Sequence, residues 1–158
     1  MSKVEEKKML RFKLHVLYWG IGLLAFFAAT NGCETLASMV LAQKSFVIAA
    51  QESVRYTITQ PMGALFLAFP FFVISGLSAE LARVFSLQRG FLFFFVAFVC
   101  IAYLYCTAYW DAQHALLEGR WTASTLLIGL LPFKSIPVLI VAGLAVGVMF
   151  WKIKKSSP

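Results

Sequence analysis

The chain has 158 residues, of which 61% are hydrophobic and only 13% are charged, and it contains 16 Phe. Soluble domains carry about a quarter charged residues, so this composition excludes a soluble globular protein and indicates a membrane protein. Lipid-facing backbone must satisfy its own hydrogen bonds, and the apolar runs are too long for barrel strands. We therefore expect an all-α bundle of transmembrane helices.

Four apolar segments approach the roughly 20 residues that cross a bilayer core of about 30 Å. Each is predicted as a transmembrane helix, and together they form a single four-helix membrane domain over residues 1–158. The predicted spans are residues 14–32, 62–79, 90–110 and 132–151.

The net charge of +7 is distributed unevenly along these segments. If the four helices alternate in direction, ten cations fall on one side of the membrane, and the four on the other side are offset by acidic residues. The positive-inside rule then places both termini in the cytoplasm. Since topology explains the basic character, we expect membrane lipids and no nucleic acid as partners. The ten cations are Lys3, Lys7, Lys8, Arg11, Lys13, Arg83, Arg89, Lys152, Lys154 and Lys155.

The connection between the first two predicted spans is long for a helix bundle. Residues 34–54 contain few helix breakers, and Glu34 and Thr35 stand near the start, where the helix dipole favours an acidic residue. We predict an extra extracytoplasmic helix over this range. Its apolar face, which includes Leu36 and Val40, has two interpretations: it lies along the bundle top or membrane surface, or it binds another chain.

Pro70 stands near the middle of the second predicted span. Because proline has no backbone N–H, we expect a kink that leaves the Phe66 carbonyl without its usual partner. This kink, together with Lys134, is a candidate ligand site for a transport or lipid-handling protein.

The segment before the fourth predicted span is apolar but too short to cross a membrane. Residues 121–131 are expected to be interfacial or re-entrant, or to begin one long, proline-kinked helix. Lys134 lies between Pro132 and Pro137, and counting back from Trp151 places it at the outer interface, where its stem reaches water. The alternative is a functional charge that faces a cavity in the bundle.

Sequence motifs for catalysis and metal binding are largely missing. His15 and His114 are assigned to opposite membrane faces, which disfavours a pair of haem ligands or a His-rich metal site. A polar cluster near His114 is interpreted as a headgroup rim, with an acid/base or zinc site as the alternative. We expect no enzymatic activity, no cofactor and no metal. The cluster consists of Asp111, His114, Glu118 and Arg120.

The chain contains three cysteines. Cys100 should lie in mid-membrane as a small apolar side chain. Cys33 and Cys106 both approach the outer ends of their predicted helices, so a disulfide between them is possible in an oxidising compartment.

Small residues mark two helix faces that other helices could approach closely. The fourth predicted span has Gly143 and Gly147 one turn apart, and the first has Gly22, Ala25 and Ala29. These faces are expected either to pack against each other or to dock on another chain.

These observations favour a non-enzymatic, partner-binding membrane protein: an accessory subunit of a larger membrane complex, or an immunity-type protein that blocks a toxin. The alternative is a small transport or lipid-handling protein whose site lies near Lys134 and the Pro70 kink. In either case we expect an integral, multi-pass protein of a bacterial inner membrane, with other membrane subunits or a second copy as partners.

Overall fold

The protein is helical throughout the part of the chain that the structure describes. The computed structural model describes residues 3–156, with the side chains of residues 5 and 8–152. It is 92% helical, which confirms the all-α prediction. The helices in this part are α1 (Lys3–Leu41), α2 (Phe46–Thr59), α3 (Pro61–Val84), α4 (Leu87–Leu117), α5 (Trp121–Gly129), α6 (Leu131–Lys134) and α7 (Ile136–Ser156).

Among the described helices, α1, α3 and α4 are long and apolar enough to cross a membrane. The shortest of them, α3, has 24 residues and therefore a length of roughly 36 Å, more than the hydrocarbon core requires. A further apolar segment, Ile136–Lys152 within α7, is shorter. These lengths are compatible with a multi-pass membrane protein.

The core lies where α1, α3 and α4 meet. Tyr18 of α1, Phe71 of α3 and Tyr105 of α4 are completely buried there, each with 0% of its surface exposed. The rings of Phe71 and Tyr105 meet edge to face, with centroids 5.2 Å apart. α7 packs beside α3 and α4, and its Phe150 meets Phe85 from the α3–α4 turn at 6.2 Å. α7 thus returns to the end of the bundle where α1 begins, which we call the termini end.

The extra helix predicted over residues 34–54 is divided in the structure. α1 continues to Leu41, and a separate α2 begins at Phe46. Asn31 does not break α1, because its side-chain amide donates to the Phe27 carbonyl inside the same helix at 3.1 Å. The break comes at Gln43, whose φ of 54° is left-handed and ends the helix in the way a C-terminal glycine usually does.

Pro70 lies inside α3, as predicted. Three residues before it, the Leu67 carbonyl accepts a hydrogen bond from the Tyr105 hydroxyl of α4 at 2.5 Å. Both side chains are buried, so this bond is protected from competing water and joins α3 to α4 beside the proline.

The segment before and within the fourth predicted span forms three consecutive helices. α5 packs back on α4, and Leu130 and Ser135 separate α5 from α6 and α6 from α7. Both residues have right-handed helical dihedral angles, so the chain keeps turning through the interruptions. Pro132 and Pro137 stand in the first turns of α6 and α7, where the missing N–H costs least. α6 therefore spans the predicted boundary between the segment 121–131 and the fourth span at 132–151.

Candidate functional site

A network of polar side chains joins α1 to α2 at the end of the bundle opposite the termini. The Ser53 hydroxyl lies 2.9 Å from Asn31 Oδ1 and 2.8 Å from Glu34 Oε2, and Thr57 Oγ1 lies 3.0 Å from the same Asn31 oxygen. Ser53 and Thr57 are one turn apart on α2, whereas Asn31 and Glu34 are three residues apart on α1. These spacings place two donors on one helix opposite two acceptors on the other.

A disulfide between Cys33 and Cys106 fixes the same end of the bundle. It joins α1 to α4, with the two Cα atoms 4.8 Å apart, and it is the pairing that the sequence suggested. Because Cys33 directly precedes Glu34, the disulfide keeps the part of α1 that carries Glu34 next to α4. We call this the disulfide end of the bundle. The remaining cysteine, Cys100, is reduced and exposed.

A cavity of about 340 Å³ opens beside Glu34. Residues of five helices, α1 to α5, and of the α2–α3 turn line this cavity. It lies near the ends of α1, α3 and α4, where α2 and α5 pack over them. Its polar groups come from separate elements: Glu34 from α1, Gln60 from the α2–α3 turn and Ser124 from α5. The rest of the wall is mainly apolar or aromatic, including Phe66 and Ile128.

Tyr109 of α4 lies close to this region and is 3% exposed. Its hydroxyl has no hydrogen-bond partner among the described residues. Its electrostatic neighbours include Glu34 and Tyr56, both of which line the cavity. A buried hydroxyl without a partner costs about 1–3 kcal/mol, and such groups often mark functional places in a fold.

The arrangement offers one carboxylate in a largely apolar space. Ser53 donates to Glu34 Oε2, and the other oxygen, Oε1, accepts no hydrogen bond from the part of the chain that is described. Within that part, no three His, Cys, Asp or Glu side chains come together as metal ligands. The chemistry that this geometry supports is the binding of a positively charged or hydrogen-bond-donating group.

The residues predicted as an outer polar cluster are only partly brought together. Glu118 and Arg120 form an ion pair, and the His114 ring meets Trp110 at 6.3 Å. Asp111, His114, Glu118 and Arg120 are all exposed. Lys134 is also exposed, at the end of α6.

The two small-residue faces are separated in the structure. Gly22 packs on α3 so closely that a Cβ there would collide with the Ser75 hydroxyl, and Ala29 is buried with it. Gly143 and Gly147 behave differently: a Cβ at either position would have no described atom of another residue within 4 Å. α1, with Ala25 half-buried beside the core, therefore packs on α3 and α4 rather than on α7.

An ion cluster at the termini end was not predicted from the sequence. Glu80 of α3 pairs with Arg11 of α1 at 2.8 Å and with Arg83 at 2.7 Å, and His15 lies 3.5 Å away. The i, i+3 spacing of Glu80 and Arg83 was a detectable signal. The pairing with Arg11 was not detectable, because it depends on how α1 and α3 align.

Comparisons with protein-family models, with curated proteins and with solved structures give no match to this chain.

Proposed function

We propose that the protein is a non-enzymatic component of a larger membrane assembly and that it binds its partner through α7. The observation that carries this proposal is the open face at Gly143 and Gly147, one helical turn apart. Small residues allow another helix to approach the backbone closely, and this close packing drives helix association in membranes. Exposed Ile136 and Ile140 flank the glycines and supply apolar contact area.

The proposal includes a fourth membrane span made by α6 and α7. Its support is the contact of Phe150 with Phe85, which brings the end of α7 back beside the α3–α4 turn. The excess of Lys and Arg at this end favours a cytoplasmic location of both termini in a bacterial inner membrane. The side chains of Lys3, Lys7, Lys154 and Lys155, on which part of this orientation rests, lie outside those described.

An accessory subunit and an immunity-type protein would both use α7 in the same way. Each requires a transmembrane helix of another chain, or of a second copy, to lie against the glycine face. The exposed apolar residues of α2, Phe46 and Val47, offer a second contact area to such a chain.

The test is purification of the full chain in mild detergent from its native membrane, with Gly147→Ile as the variant. The β-branched isoleucine side chain would cover the open glycine face and keep another helix away from the backbone. A stoichiometric partner or second copy that purifies with the wild type should therefore be missing from the purified variant. Ala145→Ile is the matched control, because Ala145 is an exposed position of the same helix off the glycine face. Equal recovery of the partner with both variants would exclude the glycine face as the interface.

A second candidate, a small transport or lipid-handling protein, is supported by the cavity beside Glu34 rather than by the site expected from the sequence. α6 does pack on α3, where Phe133 meets Phe66 at 5.7 Å, but Lys134 is exposed while Pro70 is buried. If this candidate applies, its ligand site moves from Lys134 to Glu34.

A further inference from the structure

The cavity beside Glu34 is lined by an acidic side chain in a protein whose overall charge is +7. Among the described residues that line it, Glu34 is the one charged side chain. Lys44, which precedes α2, pairs with Glu52 at 2.5 Å and does not form an ion pair with Glu34. Among the described residues, no Lys or Arg forms an ion pair with Glu34, and Lys44 acts on it only over a longer distance.

The shape of the cavity indicates a small molecule rather than a bare ion. Its volume of about 340 Å³ lies at the lower end of the range for small-molecule sites. Most of its wall is apolar, and Tyr56 and Phe66 contribute aromatic rings. Aromatic faces attract cations, and an apolar wall favours a ligand with an apolar body.

The polar network leaves one acceptor available to such a ligand. Ser53 has a single hydroxyl hydrogen, which Asn31 Oδ1 and Glu34 Oε2 share, and Ser53 itself is completely buried. Glu34 Oε1 stays open to a donor from the cavity. An entirely apolar ligand would remove water from this carboxylate without replacing its hydrogen bonds, and that desolvation is unfavourable.

We propose that this cavity binds an amphipathic amine, with its ammonium group on Glu34 and its apolar body against Phe66 and Ile128. Gln60 and Ser124 supply further hydrogen-bonding groups at the cavity wall. The same chemistry occurs in a free amine and in the headgroup of phosphatidylethanolamine, so the source of the ligand is a question for the experiment. This site is independent of the helix-binding role of α7.

The test uses the full chain in a non-ionic maltoside detergent, with 2-phenylethylamine as the probe and isothermal titration calorimetry as the measurement. Saturable binding is expected for the amine and not for its neutral analogue 2-phenylethanol. Glu34→Gln should weaken amine binding about tenfold or more, because a charged hydrogen bond becomes a neutral one. Glu80→Gln is the matched control and should bind like the wild type, since Glu80 lies at the termini end and does not line this cavity.

A second variant keeps the test decisive if Glu34→Gln disturbs folding. Gly129 lines the cavity, and a Cβ there would have no atom of another residue within 4 Å, so Gly129→Leu should fill space without moving the backbone. It should reduce amine binding at least tenfold, whereas Gly20→Leu, at an exposed glycine with equally open surroundings, should not. Retention of the Cys33–Cys106 disulfide on a non-reducing gel verifies the fold of each variant.

The lipid arm separates the two sources. Competition of phosphatidylethanolamine, but not of phosphatidylglycerol, with the probe would identify a lipid headgroup as the ligand, and absence of competition by either lipid would identify a free amine. Equal binding of 2-phenylethanol, undiminished binding to both Glu34→Gln and Gly129→Leu, or no saturable binding would overturn the proposal. Recovery of a membrane partner with Glu34→Gln should match the wild type, which distinguishes this site from the proposed α7 interface.

Discussion

The two ends of the bundle hold α1 against its neighbours by different means. At the termini end, Glu80 binds Arg11 and Arg83, and Gly90 allows α4 to lie directly against Tyr18. At the disulfide end, a covalent bond and shared hydroxyl hydrogen bonds join the helices around a cavity. At the termini end, side chains fill the space between the helices, and packing with ion pairs holds α1 in place. At the disulfide end, where a cavity remains, a covalent bond holds α1 against α4.

If this contrast is correct, the largest loss of stability should follow removal of the disulfide. The double change of Cys33→Ala and Cys106→Ala opens a loop with a sequence separation of 73 residues, and we expect a loss of about 4 kcal/mol in the free energy of unfolding. Thermal unfolding in detergent, followed by circular dichroism, measures it. Cys100→Ala is the control, and a loss of equal size there would show that the disulfide is not what supports this end.

A smaller loss of stability is expected when the close packing at the termini end is disturbed. A Cβ at Gly90 would lie 2.7 Å from Ala82 Cβ and 2.8 Å from the Ser78 carbonyl oxygen, and it would collide with the Tyr18 hydroxyl. Gly90→Ala should therefore destabilise the protein by about 2 kcal/mol through overpacking. The same unfolding measurement applies. Gly76→Ala, in a position with no atom of another residue within 4 Å of a Cβ, should have little effect.

The smallest of the three effects is expected at the ion cluster. Glu80→Gln removes the carboxylate that Arg11 and Arg83 share, but the arginines are well exposed to solvent, so we expect a loss below about 1 kcal/mol. The loss should shrink further as salt is raised, because exposed charges are screened. A salt-independent loss of several kcal/mol would mean that the ion pairs, and not packing, hold the termini end together.

Composition and the length of the apolar runs were sufficient to predict the all-α class and the presence of the three long helices, because the length of an apolar run can be read directly from the sequence. The helix break at Gln43 was not predictable in the same way. Glutamine has no intrinsic preference for a left-handed φ, and the predicted first span instead ended at residue 32, with a new helix predicted from residue 34. In the structure α1 continues through this region to Leu41, and the Asn31 side chain donates to the Phe27 carbonyl of α1 while its Oδ1 accepts from α2.

The cavity could not be predicted from the sequence for a different reason. Glu34 was recognised only as an acidic residue near a helix start, and Ser53 and Ser124 were not singled out at all. The three side chains come from α1, α2 and α5, so their proximity depends on how separate helices align. Lys134 was singled out because it interrupts an apolar run, yet its position at the end of α6 leaves its side chain exposed and away from the cavity.

The bond between Cys33 and Cys106 also reports on the assembly of the bundle. The two cysteines belong to the first and third of the long helices, with α3 passing in the opposite direction between them. Their thiols can meet only after α1 and α4 have come to lie side by side at the disulfide end. Oxidation thus closes a loop that contains the whole of α2 and α3, and the oxidised fraction of the protein measures how many molecules have paired α1 with α4.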